Sequence, residues 1–243
     1  MELRLYYGFT YLFLSFMILI FLIKHTRITD LYFNNLSPNM GCCYINLEIK
    51  PDKKEKTLHL ITNQLKINPE NVHKISGVYI PKNGHKGCVQ AHILAINLAK
   101  LNDWDRCLIL EDDARLKCSE KEVDEKFKQI YNFLDNNPWN MFMLATAFKK
   151  TKDINDDNII RLTRASTSSA YIINKNYYDT LLECFYRCNK NMSKERWTKN
   201  GWEKWALDQQ WQKLQKEDKW FCFKNDILKQ DHSGSVIMLN TGR

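Results

Sequence analysis

Three consecutive carboxylates, Glu111, Asp112 and Asp113, follow directly after a short apolar run that ends at Leu110. Adjacent acids repel one another, and a divalent cation offsets that repulsion. Mg²⁺ and Mn²⁺ both take carboxylate oxygens as ligands and keep coordination positions open for phosphate. A cation held in this way neutralises the charge on a departing diphosphate. The trio therefore indicates a site for a metal-bridged diphosphate, although a solvated acidic loop would have the same residues.

The segments around the trio alternate between strand-like and helix-like patterns. The apolar run 106–110 is typical of a strand that is covered on both faces of a sheet. Further strands are predicted at 42–47, 72–80, 141–145 and 170–173, and helices at 58–65, 87–100, 123–134, 176–188 and 203–215. The alternation predicts an α/β fold in which helices flank a sheet and ligands bind at the carboxyl ends of strands.

The helix-like segment 87–100 comes just before the central strand. Ala91, Leu94, Leu98 and Leu101 recur there at steps of three and four residues. Such a repeat forms the apolar stripe of an amphipathic helix, so these four side chains are expected to face the core.

The composition narrows the class of protein. The chain of 243 residues is 44% hydrophobic and 26% charged, which excludes collagen-like and disordered classes. Its formal net charge of +8 favours an anionic partner, such as acidic lipid or a phosphorylated small molecule. No arginine-rich block is present, so nucleic acid is not an expected partner. The eight cysteines form no pair of CxxC motifs with zinc-site spacing, and they do not settle the redox compartment.

The N-terminal segment differs from the rest of the chain. The run Tyr6–Ile23 carries no charge and approaches the roughly 20 apolar residues that span a bilayer. It lacks the small-residue exit of a cleavable signal peptide. We therefore expect a single-pass signal-anchor in residues 1–25, a stem in residues 26–40 and a folded domain in residues 41–243. The flanking charges leave the membrane orientation open, and the secretory pathway is expected for a eukaryotic or viral source.

Three stretches, taken in order and with their spacing, resemble glycosyltransferase family 25. They are YINLEIKPDKK at 44–54, GCVQAH at 87–92 and LILEDDA at 108–114. The family includes lipopolysaccharide galactosyltransferases and collagen β-galactosyltransferases. One departure is Ala91, where the family usually has serine, so one hydrogen bond of the family pattern is lost here.

The resemblance implies a GT-A fold that uses a UDP-sugar together with Mn²⁺ or Mg²⁺. The acidic trio would be the counterpart of the DxD element, with Asp113 and Asp112 on the metal and Glu111 or Asp112 on the metal shell or the ribose. The other donor-site residues that it implies are Asn46 and Leu47 beside the nucleotide, Lys50 and Lys53 near the diphosphate, and His92 near the sugar. A solvated turn is the alternative for the lysines, and an interior hydrogen-bonded position is the alternative for His92.

Two later motifs supply further candidates. Asp208, in WALDQQW, is similar to a later Asp element of the family and is the candidate base that takes the acceptor proton. A helix first-turn acid is the alternative. His232, in DHSGS, is a further candidate metal ligand, although these residues also form ordinary turns. The small residues 167–170 either leave room for a sugar or allow close packing, and Trp205 and Trp211 either stack on a sugar or fill the core.

The function implied by the resemblance is transfer of a hexose, galactose by analogy, from a UDP-sugar to a hydroxyl group with inversion. The acceptor would be a glycan or a hydroxylated protein. Two other classes stay open at this point. One is a catalytically inactive relative that binds a glycan or a partner, and the other is a metal-dependent phosphodiesterase.

Overall fold

The computed structural model describes residues 39–194, 203–231 and 233. The strands are β1 (Met40–Asn46), β2 (Val72–Ser76), β3 (Arg106–Glu111), β4 (Ala114–Leu116), β5 (Met141–Met143), β6 (Ala147–Lys152), β7 (Ile159–Ser166), β8 (Ala170–Asn174), β9 (Trp220–Phe223) and β10 (Leu228–Gln230). The α-helices are α1 (Pro51–His59), α2 (Gly84–Leu101), α3 (Glu120–Asn136), α4 (Tyr178–Lys194), α5 (Leu207–Gln210) and α6 (Leu214–Glu217). Short 3₁₀ or π turns complete the helical segments at Leu60–Gln64, Pro69–Asn71, Lys175–Tyr177 and Trp211–Lys213.

The strands form an eight-stranded mixed sheet in the order β2-β1-β3-β8-β5-β9-β7-β6, and β10 pairs with β4 in a separate two-stranded sheet. The pairs β1–β2, β1–β3 and β5–β9 are parallel, whereas β8 runs antiparallel to both β3 and β5. The predicted mixed α/β sheet with flanking helices is confirmed.

Two apolar clusters, one on each face of the sheet, form the core. Strand β3 divides its side chains between them, because Cys107 and Ile109 belong to one cluster and Leu108 and Leu110 to the other. Helices α2 and α4 contribute to the first cluster, and α1 and α3 contribute to the second. Successive side chains of a strand point to opposite faces, so an unbroken apolar run is what a strand between two helical layers requires.

The predicted apolar stripe of α2 is correct for Ala91, which is buried, and for Leu98, which packs against the first cluster. It is wrong for Leu94 and Leu101, which are 50% and 83% exposed, whereas Val89 and Ile96 of the same helix are buried. The helix carries apolar residues on more than one face, and packing against the rest of the fold decided which of them are buried.

Other local predictions need correction. Strands β4, β6, β7, β9 and β10 were not predicted, and β2 ends at Ser76 instead of continuing to residue 80. The helix expected at 203–215 is divided into the short elements α5, Trp211–Lys213 and α6. Within the described residues, no helix combines the length and apolar character needed to cross a bilayer. The predicted span Tyr6–Ile23 lies outside them.

Candidate active site

A cleft of about 110 Å³ opens at the carboxyl ends of β1, β2 and β3, and the acidic trio forms one of its walls. The loop after β2, residues 77–80, and the first turns of α2 form the opposite wall. Parallel strands bring their carboxyl ends to the same edge of a sheet, which is where α/β proteins bind ligands. The predicted repulsion within the trio is present, since the charge of Glu111 raises the pKa of both Asp112 and Asp113.

Asp113 is the most deeply buried aspartate of the trio, with 7% of its surface exposed. Ser169 Oγ donates to its Oδ1 at 2.9 Å, and Gln230 Nε2 donates to its Oδ2 at 2.9 Å. These bonds favour the ionised form, but burial and the charge of Glu111 outweigh them and raise the pKa of Asp113 to about 7. The carboxylate is therefore poised between its charged and neutral forms at neutral pH.

Asp112 is held from the β1 side of the cleft. Asn46 Nδ2 donates to its Oδ2 at 2.8 Å, and Lys53 Nζ lies 3.8 Å from its Oδ1. Burial raises the pKa of Asp112, and these two neighbours oppose that rise. Asn46 also leaves its Oδ1 buried without a hydrogen-bond partner. The structure thus brings two predicted donor-site residues, Asn46 and Lys53, onto a member of the acidic trio.

The carboxylate of Glu111 is hydrogen-bonded to a buried histidine. His92 is fully buried, with its Nε2 at 3.2 Å from Glu111 Oε1 and its Nδ1 at 2.8 Å from the hydroxyl of Tyr171. Ser168 Oγ donates to the same Glu111 oxygen. Burial alone would raise the pKa of Glu111, but the bonds from His92 and Ser168 and the charge of His92 together hold it below its ordinary value. His92 therefore has the interior position that the sequence left as an alternative, directly behind Glu111.

The segment Thr167–Ser169 was singled out in the sequence for its small side chains, but its role as a hydrogen-bond donor was missed. Its residues donate to three different carboxylates: the Thr167 N–H to Asp208 Oδ2 at 3.2 Å, Ser168 to Glu111 and Ser169 to Asp113. Thr167 has φ at 74°, in the left-handed region that a β-branched residue rarely adopts. A strained backbone conformation of this kind is kept only where the surrounding contacts hold it in place. The small residues serve here as hydrogen-bond donors, a role that their size alone did not indicate.

Asp208 lies in the first turn of α5, close to the acidic trio. Burial raises its pKa, the Thr167 N–H and the nearby His85 oppose that rise, and the charge of Glu111 adds to it. The structure therefore brings the predicted base to the trio, although the two are about one hundred residues apart in sequence. Its place in a first helical turn also fits the structural alternative.

The remaining predicted residues have separate positions. Leu47 and Lys50 line the cleft, beside Val78, Tyr79 and Ile80 of the loop after β2. His232 lies outside the described residues. Trp211 is fully buried in the core and Trp205 packs against it, so the core interpretation holds for both.

Gln230, the Asp113 partner on β10, was missed because no local pattern marks it. Cys88, another wall residue of the cleft, was also missed, since its only signal was the GC dipeptide at the start of a helix pattern.

The chain belongs to glycosyltransferase family 25. Residues 49–199 match the family model described as glycosyltransferase family 25 (LPS biosynthesis protein). The match includes the acidic trio, His92 and the segment 167–169. The protein is therefore a glycosyltransferase, and its family implies a nucleotide-sugar donor and a glycan acceptor. No curated protein matches the sequence.

Solved structures show more distant similarity. A mannose-1-phosphate geranyltransferase from Thermus thermophilus is 7% identical, with a TM-score of 0.49 over 77% of this chain and 74% of that chain. A glycosyltransferase involved in glycosylation of the major capsid of PBCV-1 is 10% identical, with a TM-score of 0.48 over 84% of this chain and 98% of that chain. A197 from STIV is 11% identical, with a TM-score of 0.40 over 81% and 87% of the two chains. TM-scores below 0.5 are too low to assign a function, so the class of this protein is assigned from the family match alone.

Proposed function

We propose that the protein transfers a hexose, galactose by family analogy, from a UDP-sugar to a hydroxyl group of a glycan or hydroxylated protein, with inversion and in a GT-A-type arrangement. The observation that supports this most is the convergence of four carboxylates. Glu111, Asp112, Asp113 and Asp208 come from two distant parts of the chain, and one hydrogen-bonded network joins three of them through the segment Thr167–Ser169.

The cleft has the chemistry that a nucleoside diphosphate requires. Leu47, Val78 and the half-exposed Tyr79 form an apolar part, where a base can lie against apolar and aromatic surface. Lys50 and Lys53 also line the cleft, with Lys53 Nζ at 3.8 Å from Asp112, and their ammonium groups would bind phosphate oxygens. The donor sugar would then lie toward Glu111 and Asp208.

The residues present fit a hard divalent cation. Asp112 and Asp113 offer carboxylate oxygens, the donor type that Mg²⁺ and Mn²⁺ prefer. Burial and, after it, the charge of Glu111 raise the pKa of Asp113, and a bound cation would oppose both effects by favouring the ionised carboxylate. These two side chains would hold the ion, with His232 a further candidate. When bound, it would supply charge neutralisation for the departing UDP.

Asp208 would act as the base. Burial raises its pKa, which makes its carboxylate a stronger base than that of an ordinary aspartate. The Thr167 N–H fixes the orientation of its carboxylate. Asp208 would take the acceptor proton as the hydroxyl oxygen attacks the anomeric carbon, so a single displacement inverts the configuration without a covalent intermediate.

The test measures nucleotide release by the full chain with a panel of UDP- and GDP-sugars and hydroxyl acceptors. We expect release from UDP-galactose that requires Mn²⁺ and is lost with EDTA. Asp208→Asn should lower kcat by 10²-fold or more, since the base contributes roughly 10²–10⁴-fold, with little change in donor affinity. Asp113→Ala should abolish Mn²⁺-dependent donor binding.

Two results would contradict this proposal. Equal background release by the wild type and both variants across the whole panel would indicate an inactive binding relative. Acceptor-independent hydrolysis of simple phosphodiesters would indicate the phosphodiesterase class.

A further inference from the structure

A second group of potential metal ligands lies beside the cleft, with two of its three members in the cleft wall. The thiol of Cys88, the imidazole of His92 and the carboxylate of Glu111 each place one ligand atom within 4.8 Å of the other two. Cys88 and His92 are four residues apart on α2, so they lie on the same helix face. Glu111 reaches them from the end of β3. Among the residues that the structure describes, no other group of three or more His, Cys, Asp or Glu side chains brings its ligand atoms this close together.

The geometry of the pair His92–Glu111 suits a tetrahedral ion. His92 Nε2 and Glu111 Oε1 are 3.2 Å apart. Two ligands at about 2.0–2.1 Å from a tetrahedral Zn²⁺ are separated by roughly 3.3 Å, so an ion could bridge these atoms with little movement. Cys88 and Glu111 both line the cleft, so an ion would reach these ligands through it.

His92 is already held as a metal-binding histidine usually is. Its Nδ1 lies 2.8 Å from the Tyr171 hydroxyl, and the two rings stack at 5.7 Å between centroids. An ion would replace the hydrogen bond between Nε2 and Glu111: with the proton kept on Nδ1, which then donates to Tyr171, Nε2 becomes the ligand nitrogen. Such a hydrogen bond to the other ring nitrogen fixes the tautomer and the ring orientation of metal-bound histidines.

We propose that Cys88, His92 and Glu111 form a binding site for a soft divalent cation, best matched by Zn²⁺. Thiolate and imidazole ligands favour Zn²⁺ over Mg²⁺ and Mn²⁺, so this site differs in preference from the oxygen-only pair Asp112 and Asp113. Binding releases the Cys88 thiol proton to solvent as the S–Zn bond forms, with no change of oxidation state. An ion here would engage Glu111, so Zn²⁺ would inhibit transfer; this consequence alone rests on the proposed function.

The direct test titrates the metal-free full chain with Co²⁺, a spectroscopic stand-in for Zn²⁺. We expect a thiolate-to-cobalt charge-transfer band that saturates at one ion per chain and disappears when one equivalent of Zn²⁺ is added. Cys88→Ser should remove the band, whereas the matched control Cys118→Ser, a partly exposed thiol outside the cleft, should keep it. No thiolate band in the wild type, or a band that survives Cys88→Ser, would overturn the site.

A second measurement follows nucleotide release at saturating Mn²⁺ while Zn²⁺ is raised. Each variant is compared with its own rate without Zn²⁺. The wild type and Cys118→Ser should share one inhibition constant, and Cys88→Ser should need at least tenfold more Zn²⁺. Equal Zn²⁺ sensitivity in all three would overturn the inhibitory role.

The two proposals fail separately. Cobalt binding is measured from an absorption band and does not require enzyme activity. A thiolate band in a chain that turns over no nucleotide sugar would therefore contradict the proposed function and support the zinc site. Normal Mn²⁺-dependent transfer in a chain with no thiolate band would support the proposed function and contradict the zinc site.

Discussion

At the scale of single residues, the three adjacent acids have different environments. Glu111 is hydrogen-bonded to His92. Asp112 accepts a hydrogen bond from Asn46 and pairs with Lys53. Asp113 accepts hydrogen bonds from Ser169 and Gln230. Burial and the charge of Glu111 raise the pKa of both aspartates against the effect of these partners, whereas the hydrogen bonds to Glu111 overcome its burial and hold its pKa below the ordinary value. Three carboxyl groups of similar intrinsic acidity therefore have pKa values that are shifted in different directions by their environments.

Asp113 gives a pH-dependent prediction. Its pKa is about 7 in the folded chain and 3.8 in an ordinary setting, so between these values the folded state holds a proton that the unfolded state has lost. The free energy of unfolding therefore falls as pH rises through this window, by an amount on the order of a few kcal/mol. Asp113→Asn should lack this fall, so the variant gains stability relative to the wild type on going from pH 5 to pH 8.

Urea unfolding at both pH values, in EDTA, measures this difference, and other titrating groups cancel because both proteins contain them. Asp157→Asn, at an exposed carboxyl, controls for the loss of one negative charge. If Asp113→Asn and the wild type keep a constant stability difference between pH 5 and pH 8, Asp113 does not carry the buried negative charge described here.

At the scale of elements, the position of α2 determines the shape of the cleft. Its first turns face the loop after β2, and Gly87 packs so closely that a Cβ there would lie 2.1 Å from the carbonyl oxygen of Val78. The absence of a side chain at Gly87 is therefore what lets the helix and the loop form the two sides of one cleft.

Gly87→Ala should push the loop away from the helix. Overpacking against a backbone atom costs typically 1–3 kcal/mol, and we expect a loss in that range together with at least tenfold weaker donor binding. Gly77→Ala, also in the cleft wall, is the comparison with a milder overlap, because its Cβ would lie 3.0 Å from the side chain and 3.1 Å from the backbone nitrogen of Leu47. Urea unfolding and titration with UDP-galactose measure the two effects. Equal losses in both variants would mean that the contact with Val78 has no special role.

At the scale of the whole molecule, the sheet order assembles the site from distant segments. Strand β8 pairs with β3, so the end of the acidic strand lies beside the segment Thr167–Ser169. Strand β10 pairs with β4, which places Gln230 against Asp113. Neither neighbour could reach the trio under another strand order.

The N-terminal segment carries a prediction that also concerns the whole chain. If residues 1–25 are a membrane anchor, the full chain should stay in the membrane fraction after an alkaline carbonate wash, and a chain without residues 1–25 should not. Leu14→Arg should release the full chain as well, because arginine near the centre of a span costs roughly 2.5–3.5 kcal/mol on insertion. A wild-type chain that washes off as readily as the shortened one would contradict the anchor.

Much of the fold could be predicted from the sequence. The run 106–110 and the helix pattern 123–134 depend on periodic apolar residues, and both were found where expected. Strands β6 and β7 were missed because lysine, threonine and arginine interrupt their apolar residues, so that neither forms an unbroken apolar run. A hairpin near the edge of a sheet is held by backbone pairing to its neighbours, which local apolar periodicity does not reveal.

By itself, the sequence determined which chemical groups the site contains, because three adjacent carboxylates at the end of an apolar strand must share one edge of the sheet. It also determined the family, through ordered motifs that need no coordinates. Only the tertiary structure decided which partner each carboxylate has. Ser169, Gln230 and Asp208 are more than fifty residues from the trio, and long-range hydrogen bonds depend on strand order and register, which no local pattern of residues encodes.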